Sequence, residues 1–280
     1  MKQKHLSRTM WIVTLLPGLL ASVSSRAQEH AGPPETNVPS APSAPASPTQ
    51  PSGHPNDAYW TEHDRQLLVD FGGLSRFKAE DDALPAPLPG QNRVVFMGDS
   101  ITQGWKLDAS FPGKPYINRG ISGQTTPQML VRFRQDVIDL KPSVVILLAG
   151  TNDIAGNTGP MTLDQTEGNL ASMAELASAN GIRVVLCSIL PAFDYHWAPG
   201  REPAPKIAQV NVWLRNYAAQ KGFVYVDYYS AMKDSRGGLP ATLSKDGVHP
   251  LPAGFAIMTT LAQAGIDQAL SGERTPSHSN

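Results

Sequence analysis

Two rhythms of apolar residues run along the chain. Residues 93–97, 116–118, 144–148, 183–186 and 223–226 form short, almost continuously apolar runs. Runs of that length without polar alternation predict strands covered on both faces. Between them the apolar positions recur at helical spacing. Residues 127–140 carry Met129, Leu130, Phe133 and Val137, and residues 163–180 carry Leu163, Thr166, Leu170, Met173 and Leu176, with Gly181 as a stop. Ile207, Val210, Leu214 and Tyr217 mark a third helix, stopped by Gly222, and Phe255, Met258, Leu261 and Ile266 mark the last. Strand–helix alternation of this kind predicts an α/β domain: a parallel sheet of about five strands with helices on both faces, hence three layers. Upstream, residues 59–83 read as helix through Leu67, Leu68, Phe71, Leu74 and Phe77, with Gly72-Gly73 as a candidate break.

The flanks have a different character. Lys2, Lys4 and Arg8 precede an apolar stretch from Met10 to Ala21, and Ser25-Arg26-Ala27 then offers small residues at the two positions a signal peptidase reads. The pattern predicts export, with cleavage near Ala27. The apolar stretch is short for a bilayer span, which needs about 20 residues, so no stable membrane insertion is expected after cleavage. Residues 28–56 are rich in Pro, Ser and Ala and predict a solvated tether, because they cannot bury enough apolar surface to offset their ordering entropy. Residues 57–92 form a helical extension and connector, residues 93–270 the α/β domain, and residues 271–280 a tail.

Composition narrows the function classes. Hydrophobic residues make up 41% of the 280, enough for a real core, and the net charge of -1 leaves no basic footprint for a nucleic-acid partner. The single cysteine, Cys187, closes an apolar run and reads as a buried strand residue. No histidine pair has metal-ligand spacing, so neither a metal nor a cofactor is expected. A Gly-x-Ser-x-Gly elbow and a P-loop are both absent from the sequence.

In parallel sheets the reactive groups sit just beyond the carboxyl ends of strands. The segments found there are Gly98-Asp99-Ser100, Arg119-Gly120-Ile121-Ser122-Gly123, Gly150-Thr151-Asn152-Asp153 and, after a delay, Asp246-Gly247-Val248-His249. A serine hydroxyl is a poor nucleophile until a base takes its proton. Ser100 lies at a strand end before a helix. His249 has an acid partner three residues away, Asp246, able to hold its tautomer. A tetrahedral intermediate needs donors, and the backbone N–H groups of Ser100 and Gly123 and the Asn152 amide are candidates, with Gly120 competing for the glycine role. Asp99 and Asp153 read as structural, and His63 and His196 as surface residues.

These four blocks resemble those of the SGNH (GDSL-type) hydrolases, from Arg93 to about Ala269, with Ile101 where the family usually has Leu. The resemblance implies a flavodoxin-like three-layer α/β/α fold. It also implies Ser100 as nucleophile, His249 as base oriented by Asp246, and Gly123 and Asn152 as oxyanion donors. The expected activity is hydrolysis of short acyl esters, acetyl above all, on a small-molecule or carbohydrate substrate. A lipase-, lysophospholipase- or thioesterase-like acyl hydrolase is the alternative, and a non-catalytic glycan-binding module the remoter one. Trp105, just after the nucleophile block, and Trp197, in the loop of residues 193–201, are expected to line the substrate cleft.

Overall fold

Each of the five apolar runs forms a strand: β1 (Val94–Gly98), β2 (Tyr116–Gly120), β3 (Val144–Leu148), β4 (Arg183–Cys187) and β5 (Val224–Val226). All pairs are parallel, and the order across the sheet is β2-β1-β3-β4-β5. This computed structural model describes residues 57–272, without the side chains of residues 57–60 and 63. The expected signal, the tether and nearly all of the tail lie outside the described residues.

Successive strand side chains point to opposite faces, and each face has its own helices. On one face Val95, Met97, Val145, Leu147, Val184 and Leu186 pack with α5 (Thr126–Phe133), α7 (Leu163–Ala179) and α8 (Pro203–Lys221). On the other Val94, Phe96, Val144, Ile146, Val185 and Cys187 pack with α10 (Pro252–Ser271). The same face takes the short helices α3 (Ser100–Gly104), α4 (Leu107–Ser110) and α9 (Tyr228–Met232). A further short helix, α6 (Thr151–Ala155), follows β3. The helix expected over residues 127–140 is α-helical to Phe133 and closes with a π-helical turn, Arg134–Ile138. There fully buried Asp136 meets the equally buried Arg132 four residues back, at 2.8 Å. Cys187 is buried, and burial pushes its thiol up to about 12, as suits a packing residue.

The segment over residues 59–83 is not one helix. α1 (Asp57–Val69) ends where the Asp70 carboxylate accepts the backbone N–H groups of Leu74 and Ser75, both at 2.8 Å, and α2 (Lys78–Ala83) follows the turn. An aspartate that captures nearby backbone donors competes with helix continuation. The turn is fastened to α5 and to the loop before it: Gln128 donates to the Phe71 carbonyl and Gln124 to that of Gly72, both at 2.9 Å. Arg119, at the end of β2, pairs with Asp81 of α2 and lies over the Phe77 ring. Leu68 takes no part in a core and is 90% exposed.

The chain runs from β1 out to β2 and returns past β1 to β3. Neighbouring strands whose connections diverge leave a crevice beyond their carboxyl ends, where such sheets bind ligands. Segments following β1, β2 and β3 therefore share one edge, and the loop before α10 reaches the same place.

Candidate active site

Ser100 is the first residue of α3, and α3 is held at both ends. Asp99, buried, caps it by accepting the Ile101 N–H at 2.9 Å. Asn118 of β2 donates its amide to the carbonyls of Thr102 and Trp105, at 2.6 and 3.1 Å. The helix also lies very close to the strands. A Cβ on Gly98 would sit 2.1 Å from Thr102 Oγ1, and one on Gly120 would sit 2.2 Å from the Gln103 nitrogen. The Gly-Asp-Ser triplet is thus legible in physical terms: the glycine admits the helix, the aspartate caps it, and the serine hydroxyl is delivered at its mouth.

The Ser100 Oγ lies 2.9 Å from His249 Nε2, although 149 residues separate them. On the other side of the ring His249 Nδ1 is 2.7 Å from Asp246 Oδ2. Asp246 Oδ1 accepts the backbone N–H groups of Val248 and His249 and the Ser244 hydroxyl, at 3.0, 2.8 and 3.0 Å. Partial burial would raise the Asp246 carboxyl, but the hydrogen bond with His249 and those two backbone donors outweigh it and hold the group well below the usual carboxylate range. Asp246 is therefore an anion placed to orient the imidazole, with Nε2 on the side of the Ser100 hydroxyl.

Two backbone donors in the segments after β1 and β2 are unpaired. The N–H groups of Ser100 and Gly123 have no hydrogen-bond partner among the described residues. The Gly120 N–H, by contrast, is taken by Asn118 Oδ1 at 2.9 Å. The two glycines therefore differ: Gly120 is the position of close approach, and Gly123, at φ +78°, keeps an unpaired N–H. Asn152, buried in α6, donates one amide hydrogen to the Gln124 carbonyl at 2.9 Å and accepts from Asn157 at 3.1 Å. A primary amide has two donors, so one is left over.

The other motif residues are structural. Asp153 accepts the Thr126 N–H at 3.1 Å and the Thr126 hydroxyl at 2.5 Å, joining α6 to α5. Burial pushes the carboxyls of Asp99 and Asp153 up to about 6 each. Thr151 Oγ1 is 2.8 Å from the hydroxyl of fully buried Tyr195, which docks the loop after β4 onto α6.

Trp105 corrects an expectation. Rather than lining the cleft, it is 3% exposed, with its ring among Phe96, Phe111 and Phe255 and its indole N–H donated to Ser110. The short helix α3 turns it inward onto the α10 face of the sheet. Trp197 is half-buried and stacks on Tyr195, ring centres 4.8 Å apart. Sequence reasoning passed over two residues that support the site. Arg132 donates to Gln124 Oε1 and to the Gly98 carbonyl, at 2.6 and 3.2 Å, tying the end of β1 to the glycine loop. Asn157 touches both Asn152 and the Gly123 carbonyl. Asn157 carries no local signal; for Arg132 the nearest clue was its place among the apolar positions of the helix, with Asp136 four residues on. Among the described residues no group of acidic, histidine or cysteine side chains could hold a metal ion.

Residues 96–257 match the GDSL-like lipase/acylhydrolase family. Esterase TesA of Pseudomonas aeruginosa is 29% identical over 174 residues, 56% of this chain and 79% of that protein. An acetylxylan esterase of Xylanibacter ruminicola is 26% identical over 245 residues. Those are 74% of this chain, which spans about half (48%) of that longer protein. A solved GDSL-like lipase from Bacteroides thetaiotaomicron is 45% identical, with 71% of this chain and 99% of that chain covered and a TM-score of 0.69. With its five-stranded parallel sheet, its helical layers and the match over most of the α/β domain, this chain belongs to the GDSL-like lipase/acylhydrolase (SGNH hydrolase) family and is a carboxylic ester hydrolase.

Proposed function

We propose that the protein is an exported serine esterase that removes short acyl groups, acetyl above all, from a carbohydrate. Ser100 is the nucleophile, His249 the base and Asp246 its orienting anion; Ser100 N–H, Gly123 N–H and the Asn152 amide receive the oxyanion. The observation that carries this reading is the Ser100–His249–Asp246 chain at 2.9 and 2.7 Å, next to two unpaired backbone donors. His249 Nε2 takes the Ser100 proton as Oγ attacks the acyl carbon. The carbonyl oxygen gains negative charge beside the donors, and the intermediate collapses as the alcohol leaves with the proton from His249. Water, activated by the same imidazole, then releases the acid and restores Ser100.

Two features support a short acyl group. The loops around the site, residues 122–127, 156–160 and 199–205, are rich in Gly, Pro and Thr and carry few aliphatic side chains. A long acyl chain would need an apolar groove, each buried CH₂ being worth about 0.8 kcal/mol. The similarity to an acetylxylan esterase favours acetylated carbohydrate. Export rests on the N-terminal signal pattern; among the described residues no helix is long and apolar enough to cross a membrane.

The test is kcat/KM across acetyl, butyryl, octanoyl and palmitoyl esters, run beside acetylated xylan. The expected maximum is at acetyl, and a maximum at octanoyl or beyond would replace this reading with a lipase-like one. A fluorophosphonate should label Ser100, and Ser100→Ala should lose both label and turnover while keeping its melting temperature. Intact-mass analysis of exported protein should show the loss of residues 1–27.

A further inference from the structure

We propose that Asn157, set in turn by the indole of Trp197, is a positioning residue that fixes which way round the Asn152 amide faces. The proposal rests on the reading of Asn152 as an oxyanion donor. A carboxamide is nearly symmetric in shape, and its oxygen and nitrogen are told apart only by what they bond. In one orientation Asn152 offers a hydrogen to a developing oxyanion. In the other it offers a lone pair, which would repel that charge.

The surroundings of Asn152 discriminate between the two because the relay begins and ends in groups of fixed polarity. An indole N–H can only donate. Trp197 Nε1 lies 3.2 Å from Asn157 Oδ1, which identifies the oxygen of Asn157. The Asn157 nitrogen must then face Asn152 Oδ1 at 3.1 Å and the Gly123 carbonyl at 3.0 Å. With its oxygen claimed, Asn152 turns its nitrogen to the Gln124 carbonyl at 2.9 Å. The two peptide carbonyls can only accept, so they close the relay with the sign the indole opened it. A flipped Asn152 would set oxygen against the Gln124 carbonyl and nitrogen against the Asn157 nitrogen, two opposed contacts at a residue that is 3% exposed.

The backbone holds the relay in register. The Asn157 N–H donates to the Asn152 carbonyl at 3.0 Å, which folds the loop after α6 back on itself. Trp197 is stacked on Tyr195, whose hydroxyl reaches Thr151, the neighbour of Asn152. Asn157 also binds the carbonyl of Gly123, the residue that supplies a second oxyanion donor. One side chain thus sets the relative placement of two donors that come from different strands. The part of Trp197 that matters here is its N–H, not its aromatic face.

The experiment measures kcat and KM for p-nitrophenyl acetate with the full chain carrying Asn157→Leu, Trp197→Phe, Asn152→Ala or Asn152→Ala with Asn157→Leu, each checked by its melting curve. Asn157→Leu keeps the volume and removes the polarity. It should lower kcat by about 10-fold or more, below the ~10²–10³-fold known for outright loss of a donor, with KM within about twofold. Trp197→Phe keeps an aromatic ring and removes the N–H, so it should lower kcat in the same direction by a smaller factor and leave KM unchanged. In the Asn152→Ala background Asn157→Leu should cost clearly less than it does in the parent, because only its hold on the Gly123 carbonyl is left to lose. Multiplicative losses in the double variant, a Trp197→Phe effect confined to KM, or an Asn157→Leu protein with unaltered kcat would each overturn the proposal while leaving the esterase reading standing. An unaltered kcat in Asn152→Ala would overturn the oxyanion reading and this proposal together.

Discussion

Gly120→Ala tests how Ser100 is placed, and it does so without altering Ser100, His249 or Asp246. The added Cβ would lie 2.2 Å from the Gln103 nitrogen, 2.7 Å from the Thr102 carbonyl carbon and 2.8 Å from the Asp99 oxygen. All three are backbone atoms of the turn that carries Ser100, so no side chain can swing aside. To reach ordinary contact at 3.4 Å, the Gln103 nitrogen must retreat by about 1.2 Å (3.4 − 2.2). Overpacking of this kind costs about 1–3 kcal/mol, and a backbone clash on three atoms belongs at the upper end. At about 3 kcal/mol and roughly 2–4 °C per kcal/mol for a domain of this size, Tm should fall by ~6–12 °C. Because α3 moves bodily, Ser100 leaves its place opposite His249, and a misplacement near 1 Å can cost about 10²-fold in kcat/KM. Calorimetry and turnover of p-nitrophenyl acetate read the two effects. Gly168→Ala is the control: nothing lies within 4 Å of its Cβ inside α7, so it should gain about 0.5–1 kcal/mol and keep wild-type kcat/KM. A Gly120→Ala protein with wild-type Tm and turnover would refute the reasoning.

Asn152→Ala should lower kcat more than it raises KM, since an oxyanion donor acts mainly in the transition state; a change in KM alone would make Asn152 a substrate-binding group. Asp246 has a depressed carboxyl, so its contribution to stability is present above the ordinary unfolded value of about 3.9 and is lost as pH falls below it. Asp246→Asn should therefore flatten the acid limb of Tm against pH. Asp99 and Asp153, raised to about 6, act with the opposite sign: they favour the fold most below about pH 4, and that contribution is lost as pH rises through about 6.

Much of the molecule is written locally. The strands are short apolar runs because parallel strands are covered on both faces, and residues 144–148 form β3 with the expected bounds. Gly98, Asp99, Asn152 and Asp246 stand out in the sequence because tight approach, capping, amide donation and carboxylate anchoring each demand one residue type at one place. Tertiary structure decided what depends on partners far along the chain. Residues 149 apart had to meet before Ser100 and His249 became a pair. Gly120 and Gly123 are alike in sequence, and only the fold gives one a crowded Cβ position with an occupied N–H and the other a positive φ with a free N–H. Trp105 lies near the nucleophile in sequence, yet the turn of α3 sends it into the core, because an apolar ring at a helix end is placed by the face it happens to meet. The contacts of Arg132 with Gly98 and of Asn157 with Gly123 follow no periodicity, since their partners are backbone carbonyls that the fold alone brings within reach.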